Sequence, residues 1–380
     1  MRLALIYPAA DPTGPGQWSG IPSGLCSGFQ ALGIEVVPVG ARLPWLVGPA
    51  VAAVSRAGGR RGHLAHTSPV QAFARAKALG QALADAGPVD AALALGTDMY
   101  ELERVVPTGL RTATFDDGTF VTFSRHRDSD VRQARFPDPE VARWADRQRQ
   151  ACRRADACFV STSWAGRSVV ADYGVSASRV HVVGMGHRPR SVPAGGGRDW
   201  SQPRFLYVGV DWIRKNGDAV LRSFAALRAD HPLATLDLVG KHPVVDQPGV
   251  RGHGHLRREV PADQRHLDTL FGAATTFVLP SRFDPSPIAY LEAASAGLPV
   301  IATDQGGAAE LLSSAVVVDP RDEHALTRAM LLLADPAEAR RRGSVAQAEA
   351  ARSSWTLVAE RMLGVLTVGR EDVSAARRRG

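Results

Sequence analysis

Between Phe277 and Leu312 the chain reads FVLPSRFDPSPIAYLEAASAGLPVIATDQGGAAELL, and no other stretch limits the fold so strongly. Phe277 to Leu279 is a short apolar run, the mark of a buried strand. A polar loop, Pro280 to Pro287, leads into a predicted helix from Ile288 to Ala296, closed by Gly297 at its C′ position. Leu298 to Thr303 is a second buried strand. Asp304, Gly306 and Gly307 then open a turn before an expected helix from Ala308 to Leu312. Strands that alternate with helices across short links predict a parallel sheet.

The chemistry of this stretch sits in its first loop. Asp284 lies at the mouth of the Ile288 helix, and Glu292 lies eight residues on, inside it. A helix start carries unpaired N–H groups and partial positive charge, which suit a phosphate. Carboxylates beside it can accept hydrogen bonds from sugar hydroxyls. The set fits a nucleotide-sugar, while the spacing alone equally allows Asp284 to be a plain helix cap.

These residues resemble the nucleotide-sugar motif of the retaining glycosyltransferases of family four. That motif has two glutamates separated by seven residues, in a phrase like E-G-F-G-x-x-x-x-E-A-x-A-x-G-x-P-V-I-A-T. Asp284 stands at the first glutamate and Glu292 at the second. Ala293, Ala294, Gly297, Pro299, Val300, Ile301, Ala302 and Thr303 continue the match. There are two departures. Asp284 is one methylene shorter than Glu, and Pro287 replaces a glycine whose N–H would face the donor. The resemblance implies an α/β chain with the GT-B fold: two doubly wound Rossmann-like domains facing a cleft. It implies a nucleoside-diphosphate sugar as donor, with UDP-sugars favoured. It implies no cofactor and no catalytic metal.

A length of 380 residues suits two domains. Hydrophobic residues make up 45% and charged residues 22%, as expected of a soluble globular chain. No uninterrupted apolar run is long enough to span a bilayer, so a cytoplasmic protein is expected. The opening MRLALIYPAADP reads as a first buried strand rather than a signal segment. Cys26, Cys152 and Cys158 lack metal-ligand spacing and read as reduced, buried thiols. The formal charge of +7 favours anionic partners. No nucleic-acid module is present. The basic clusters 340–342 and 377–379 are solvated surface or weak peripheral membrane contacts at the inner face. Abundant Arg, Ala and Gly suggest a GC-rich bacterial source.

Taken in order, Arg2 to Pro8 is a strand, Pro22 to Leu32 a helix and Ile34 to Val39 the next strand. Gly14-x-Gly16-x-x-Ser19 comes too late after the first strand, and ends in the wrong residue, for a dinucleotide fingerprint. Ser19-Gly20-Ile21 resembles the family's glycine-rich donor-facing loop, making Gly20 a donor-site candidate; a simple surface turn is the alternative. Leu43 to Arg61 reads as a loop and short helix, with 58–62 (GGRRG) exposed. Ser68 to Ala86 has helical spacing, with Val70, Phe73, Ala74, Ala78, Leu79 and Leu83 on one side. Ala91 to Leu95 and Arg111 to Phe115 are strands. The second runs into Asp116 and Asp117, where open α/β sheets place ligands. The family often has a sugar-contacting histidine near here. Phe115 or Asp116 takes that place, and His126 is the nearest histidine. Asp117 is a candidate for a sugar or acceptor hydroxyl, or else a turn cap. A basic helix from Pro139 to Ala155 and the strand–helix–strand run Asp156 to Val183 complete this half.

Residues 188–204 (RPRSVPAGGGRDWSQPR) read as the linker. They divide a first domain, 1–187, from a second, 205–354; a terminal segment, 355–380, returns to the first. After strand Phe205 to Val208, Lys215 falls on the family's phosphate-binding lysine. The family arginine position is Val210, so Arg214 supplies the second cation from elsewhere. Without the resemblance, Arg214 and Lys215 are a surface pair. Lys241 and Leu256 lie in loops that, in the family, border the base. His242, His253 and His255 read as surface or base-pocket residues rather than metal ligands. In the Asp284 loop, Ser286 and Ile288 complete the donor candidates. A helix from Gln264 to Phe271 precedes the organising stretch, and helices from Glu323 and Pro336 follow it.

The expected activity is retaining, metal-independent transfer of a sugar to a hydroxyl of a glycan, lipid-linked sugar or natural product. Lys215, Asp284 and Asp117 are its catalytic candidates. Arg214 joins Lys215 on the diphosphate, and Glu292 binds ribose. Two alternatives stay open: a sugar-nucleotide-binding protein that has lost transfer, and another GT-B activity such as a phosphorylase or epimerase.

Overall fold

A computed structural model describes residues 1–43, 68–190, 192 and 198–367. The chain forms two compact units. One comprises Met1–Arg125, Ala134–Gly184 and Trp355–Gly380, and the other His126–Gln133 and Met185–Ser354. The short segment His126–Gln133, expected in the first domain, therefore packs with the second.

In chain order the elements are β1 (Arg2–Tyr7), α1 (Ile21–Ala31), β2 (Glu35–Gly40), α2 (Pro69–Asp85), β3 (Ala91–Leu95), β4 (Arg111–Asp116), α3 (Phe120–Arg125), α4 (Asp130–Gln133), α5 (Asp138–Arg154), β5 (Ala157–Val160), α6 (Ser163–Tyr173) and β6 (Val180–Val182). The second unit follows with β7 (Arg204–Gly209), α7 (Gly217–Leu227), β8 (Thr235–Gly240), β9 (Val250–Gly252), α8 (Pro261–Ala273), β10 (Thr276–Val278), α9 (Ile288–Ser295), β11 (Val300–Thr303), β12 (Val316–Val318), α10 (Glu323–Leu332) and α11 (Pro336–Ala350). The last helix, α12 (Trp355–Thr367), rejoins the first unit.

Each unit has one six-stranded, all-parallel sheet. The orders are β2-β1-β3-β4-β5-β6 and β12-β11-β10-β7-β8-β9. Central strands buried on both faces are nearly pure apolar runs, as Leu3 to Ile6 and Ala91 to Leu95 show. Each order reverses direction once, between β1 and β3 and between β7 and β10. Open α/β sheets bind ligands at such switch points, beyond the strands' carboxyl ends.

Local signals account for many element ends. Ser68 Oγ accepts from Gln71 N at 3.2 Å at the start of α2, and Thr162 Oγ1 from Ala165 N at 3.2 Å at α6. Helix α12 lies against α1 because Gly28 leaves room for it. A Cβ there would come within 2.3 Å of the Trp355 carbonyl oxygen. The three cysteines are free and buried.

Two local expectations are corrected. Residues 308–312 make only a 3₁₀ turn, Ala308–Glu310. Glycines before it and Ser313-Ser314 after it leave too few residues to offset helix nucleation. Helix α2 does form, but Val70 and Phe73 lie on its exposed side, 64% and 51% accessible. Its buried stripe is Ala72, Ala76, Leu79 and Leu83. Small alanines bring the helix backbone close to the sheet, and Phe73 instead lies under the Arg104 guanidinium at 5.3 Å. The expected loop and helix at 43–61 and the tail from Gly369 fall almost wholly outside the described residues, as does the centre of the linker.

Candidate active site

In the second unit, β7 and β10 are hydrogen-bonded neighbours at the switch point, so their following loops are adjacent. The first carries Arg214 and Lys215, the second Ser281 to Ser286. The β7 loop is a tight turn. Lys215 N donates to Asp211 O at 2.8 Å, and Asn216 takes the left-handed conformation at φ 62° before α7. Asn216 is buried and ties neighbouring loops together. Its Nδ2 donates to Pro320 O at 2.7 Å, and its Oδ1 accepts from Arg282 Nε at 3.0 Å.

Lys215 Nζ donates to Asp284 Oδ2, which also accepts from Ser281 Oγ at 3.1 Å. Arg214 Nη1 donates to Phe283 O at 3.1 Å and stands 4.0 Å from the same Asp284 oxygen. Its Nε donates to Asp211 Oδ2 at 3.2 Å. Burial pulls the Lys215 ammonium below the usual lysine range, against the opposing pull of Asp284. Burial also disfavours charge on Arg214, but Asp284, Asp130 and Asp211 outweigh it and hold that cation firmly charged. Two cations thus converge on one carboxylate at the carboxyl edge of the sheet.

Asp284 is not a helix cap. Pro287 occupies the cap position of α9, with no side-chain cap bond. The Asp284 carboxylate serves Lys215 and Ser281 instead, and its backbone N donates to Gln305 O at 3.2 Å. Gly306 makes this fit possible. It adopts φ +89°, and a Cβ there would lie 2.2 Å from Asp284 O. Ser286 and Ile288 are both buried at the start of α9.

Glu292 lies further along α9 and is 2% exposed. Its Oε2 accepts from Arg190 Nη2 at 2.6 Å and its Oε1 from Arg258 Nη2 at 3.4 Å. Burial drives its carboxyl up, but Arg190 and Arg258 outweigh burial and hold it below the ordinary glutamate range. Lys241 is exposed in the loop after β8, and Leu256 is half-buried in the loop after β9. The second unit's candidates therefore follow β10, β7, β8 and β9 along one sheet edge, except that Ile288 and Glu292 ride on α9.

His242, His253 and His266 are engaged with neighbours. His253 Nε2 lies 2.7 Å from Asp237 Oδ1, and His266 Nε2 lies 3.1 Å from His253 Nδ1. His242 Nδ1 lies 2.8 Å from Pro243 O. Among the described residues no group of three or more His, Cys, Asp or Glu side chains is arranged to hold a metal ion.

Asp117 and Gly20 belong to the first unit. Asp117 is half-buried in the turn after β4, and Gly20 is the left-handed residue, φ +85°, before α1. Asp116, which ends β4, is buried. It accepts from Gln148 Nε2 at 2.8 Å, and burial pushes its carboxyl well above the usual range. His126 does reach the site. Its ring stacks on Phe283 at 4.4 Å, and its Nε2 lies 3.2 Å from Gln305 Oε1. Sequence reasoning missed Ser281, Gln305, Arg190 and Arg258, none of which sits in a motif of its own.

Residues 202–335 match the family described as glycosyl transferases group 1. That match lies within the second unit. The chain is similar over part of its length to the glycogen synthase of Mycobacterium tuberculosis, 32% identical over 175 residues, 42% of this chain and 39% of the relative. It is also similar to a GDP-mannose-dependent alpha-(1-6)-phosphatidylinositol monomannoside mannosyltransferase of Mycolicibacterium smegmatis. That match is 33% identical over 160 residues, 37% of this chain and 41% of the relative. The matches thus span about two fifths of these relatives' own lengths. A solved sucrose-phosphate synthase from Thermosynechococcus elongatus superposes with a TM-score of 0.68 at 18% identity, over 99% of this chain and 100% of that one. The fold is GT-B, with the group 1 domain as its second unit. Among the described residues, no helix is long and apolar enough to cross a membrane.

Proposed function

We propose that the chain transfers a sugar from a nucleoside-diphosphate sugar to an acceptor hydroxyl, with retention of anomeric configuration and without a metal ion. The carrying observation is the convergence of Lys215 and Arg214 on Asp284, at the switch point of the group 1 domain. Such a pair of cations is suited to a leaving diphosphate, whose charge grows as the glycosidic bond breaks. On binding, the diphosphate takes Lys215 as partner, and Asp284 is released to accept from donor-sugar hydroxyls. Glu292 accepts from the ribose. A front-face transfer, in which the leaving phosphate takes the acceptor proton, needs no protein nucleophile. In the first unit, Asp117 is the candidate for a sugar or acceptor hydroxyl, and Gly20 a candidate for the donor. Lys241 and Leu256 border the base.

The resemblance favours uridine, but one relative is GDP-mannose-dependent, so the base is chosen by experiment. The test is thermal unfolding with UDP, GDP, ADP and TDP, each in EDTA. A ligand that binds only the folded state raises the midpoint by mass action, by about 2.7 kcal/mol of stability at a hundredfold excess over Kd. A rise with one diphosphate that persists in EDTA is expected, followed by release of sugar from the corresponding donor. No rise with any of the four overturns the proposal.

A further inference from the structure

Glu292 is a buried carboxylate with a specific distribution of partners. An ionised carboxylate has about four acceptor positions, two on each oxygen. Arg190 takes one on Oε2 and Arg258 takes one on Oε1. One position remains on each oxygen, and a ribose 2′,3′-diol presents two O–H donors.

Arg190 is held from several sides. Its Nη1 is shared between Gln264 Oε1 and Asp268 Oδ1, both at 3.3 Å. Its guanidinium lies 4.9 Å from the centre of the Phe271 ring, and its backbone N donates to Ser295 Oγ at 3.2 Å. The side chain is 2% exposed, yet its Nε is buried without a hydrogen-bond partner. An orphaned N–H opposes stability. The side chain accepts that cost while its Nη2 stays on Glu292. Arg258 differs, with a side chain 34% exposed.

We propose that Arg190 is a positioning residue: it holds the Glu292 carboxylate ionised and oriented so that one acceptor position on each oxygen faces a ribose diol, with Arg258 as a secondary, outer support. This rests on the proposed donor reading and deepens it. The charged or titratable groups facing Glu292 are Arg190, Arg258 and His187, with Asp268 behind Arg190. Without Arg190, the upward push of burial on the Glu292 carboxyl would be opposed only by Arg258 and His187. A neutral carboxyl donates one hydrogen bond and no longer accepts two from a diol.

The test compares binding of UDP, GDP and ADP with that of their 2′-deoxy counterparts at pH 6 and pH 8. Wild type is expected to prefer the ribo form of its diphosphate by about tenfold at both pH values, the effect of removing one donor to a buried carboxylate. Arg190→Met is expected to lose much of that preference, and to lose more of it at pH 6 than at pH 8, because higher pH favours the ionised carboxylate. Arg190→Lys should restore most of the pH 6 preference. A merely structural arginine would weaken ribo and deoxy forms alike. Wild type that binds no diphosphate would overturn the donor reading itself, whereas wild type that binds one with no ribo preference would overturn this inference alone. Wild type with the preference and Arg190→Met retaining it at both pH values would overturn this inference alone. Should Arg190→Met not fold, Arg190→Gln, which removes the charge but keeps a polar side chain beside Gln264, supplies the answer: a several-fold lower ribo preference at pH 6 supports the clamp, and an unchanged preference overturns it.

Discussion

At the scale of single residues, the informative contrast is between Lys215 and Arg190. Lys215 sits in a glycine-flanked loop after a strand, a local order that permits a phosphate contact but by itself reads as surface charge; the family resemblance made it a candidate. Its partner was not readable from local order, because Asp284 lies 69 positions away. The pairing gives a direct prediction. Lys215→Ala should lower donor turnover about 100-fold, the range seen when one preorganised charge at a transition state is removed. The unfolding midpoint should stay near wild type, because the lost partner of Asp284 still leaves Ser281 on its oxygen. Turnover is followed as sugar release from the donor identified by thermal shift, and unchanged turnover would remove Lys215 from the mechanism. Arg190 had no local signal at all. One of several arginines inside a proposed linker, it reads as surface charge until folding brings Glu292, 102 residues on, within 2.6 Å of it.

At the scale of elements, the alternation of buried strands with helices was readable because strand and helix periods are local properties. Elements failed where local pattern was a poor guide to packing. Val70 and Phe73 suggested the buried face of α2, but the sheet took the alanine side. Asp284 had the form of a cap, but α9 starts beyond Pro287. The contact between α1 and α12 carries its own prediction. Gly28→Val should destabilise the protein by about 2 kcal/mol, the usual cost of overpacking, since the new side chain meets backbone that cannot swing aside. Gly16→Ala serves as control. It has negative φ and nothing within 4 Å of the added Cβ, so it should be close to neutral. Urea midpoints of the two variants measure the difference, and equal midpoints would refute the close contact at Gly28.

At the scale of the whole molecule, the two units divide the candidates. Lys215, Arg214, Asp284, Ser286, Ile288, Glu292, Lys241 and Leu256 belong to the second, Gly20 and Asp117 to the first. A nucleoside diphosphate without its sugar should therefore protect amides mainly in the second unit. Hydrogen exchange is expected to slow at 209–216, 281–288 and 304–307, with little change at Gly20 or Asp117. Protection centred on the first unit would move the donor site away from the switch point of the group 1 domain.

The sequence by itself determined the parallel α/β class and the placing of two polar loops, those carrying Lys215 and Asp284, directly after buried strands. These depend on residue order over ten to forty positions, where periodicity and turn chemistry act. Only the tertiary structure decided that β7 and β10 lie side by side, so that Lys215 and Asp284 meet. It also decided that His126–Gln133 packs with the second unit, and that Arg190 clamps Glu292. Each of those is a contact between residues far apart in the chain, and such contacts are chosen by strand order and by the burial of charge in pairs.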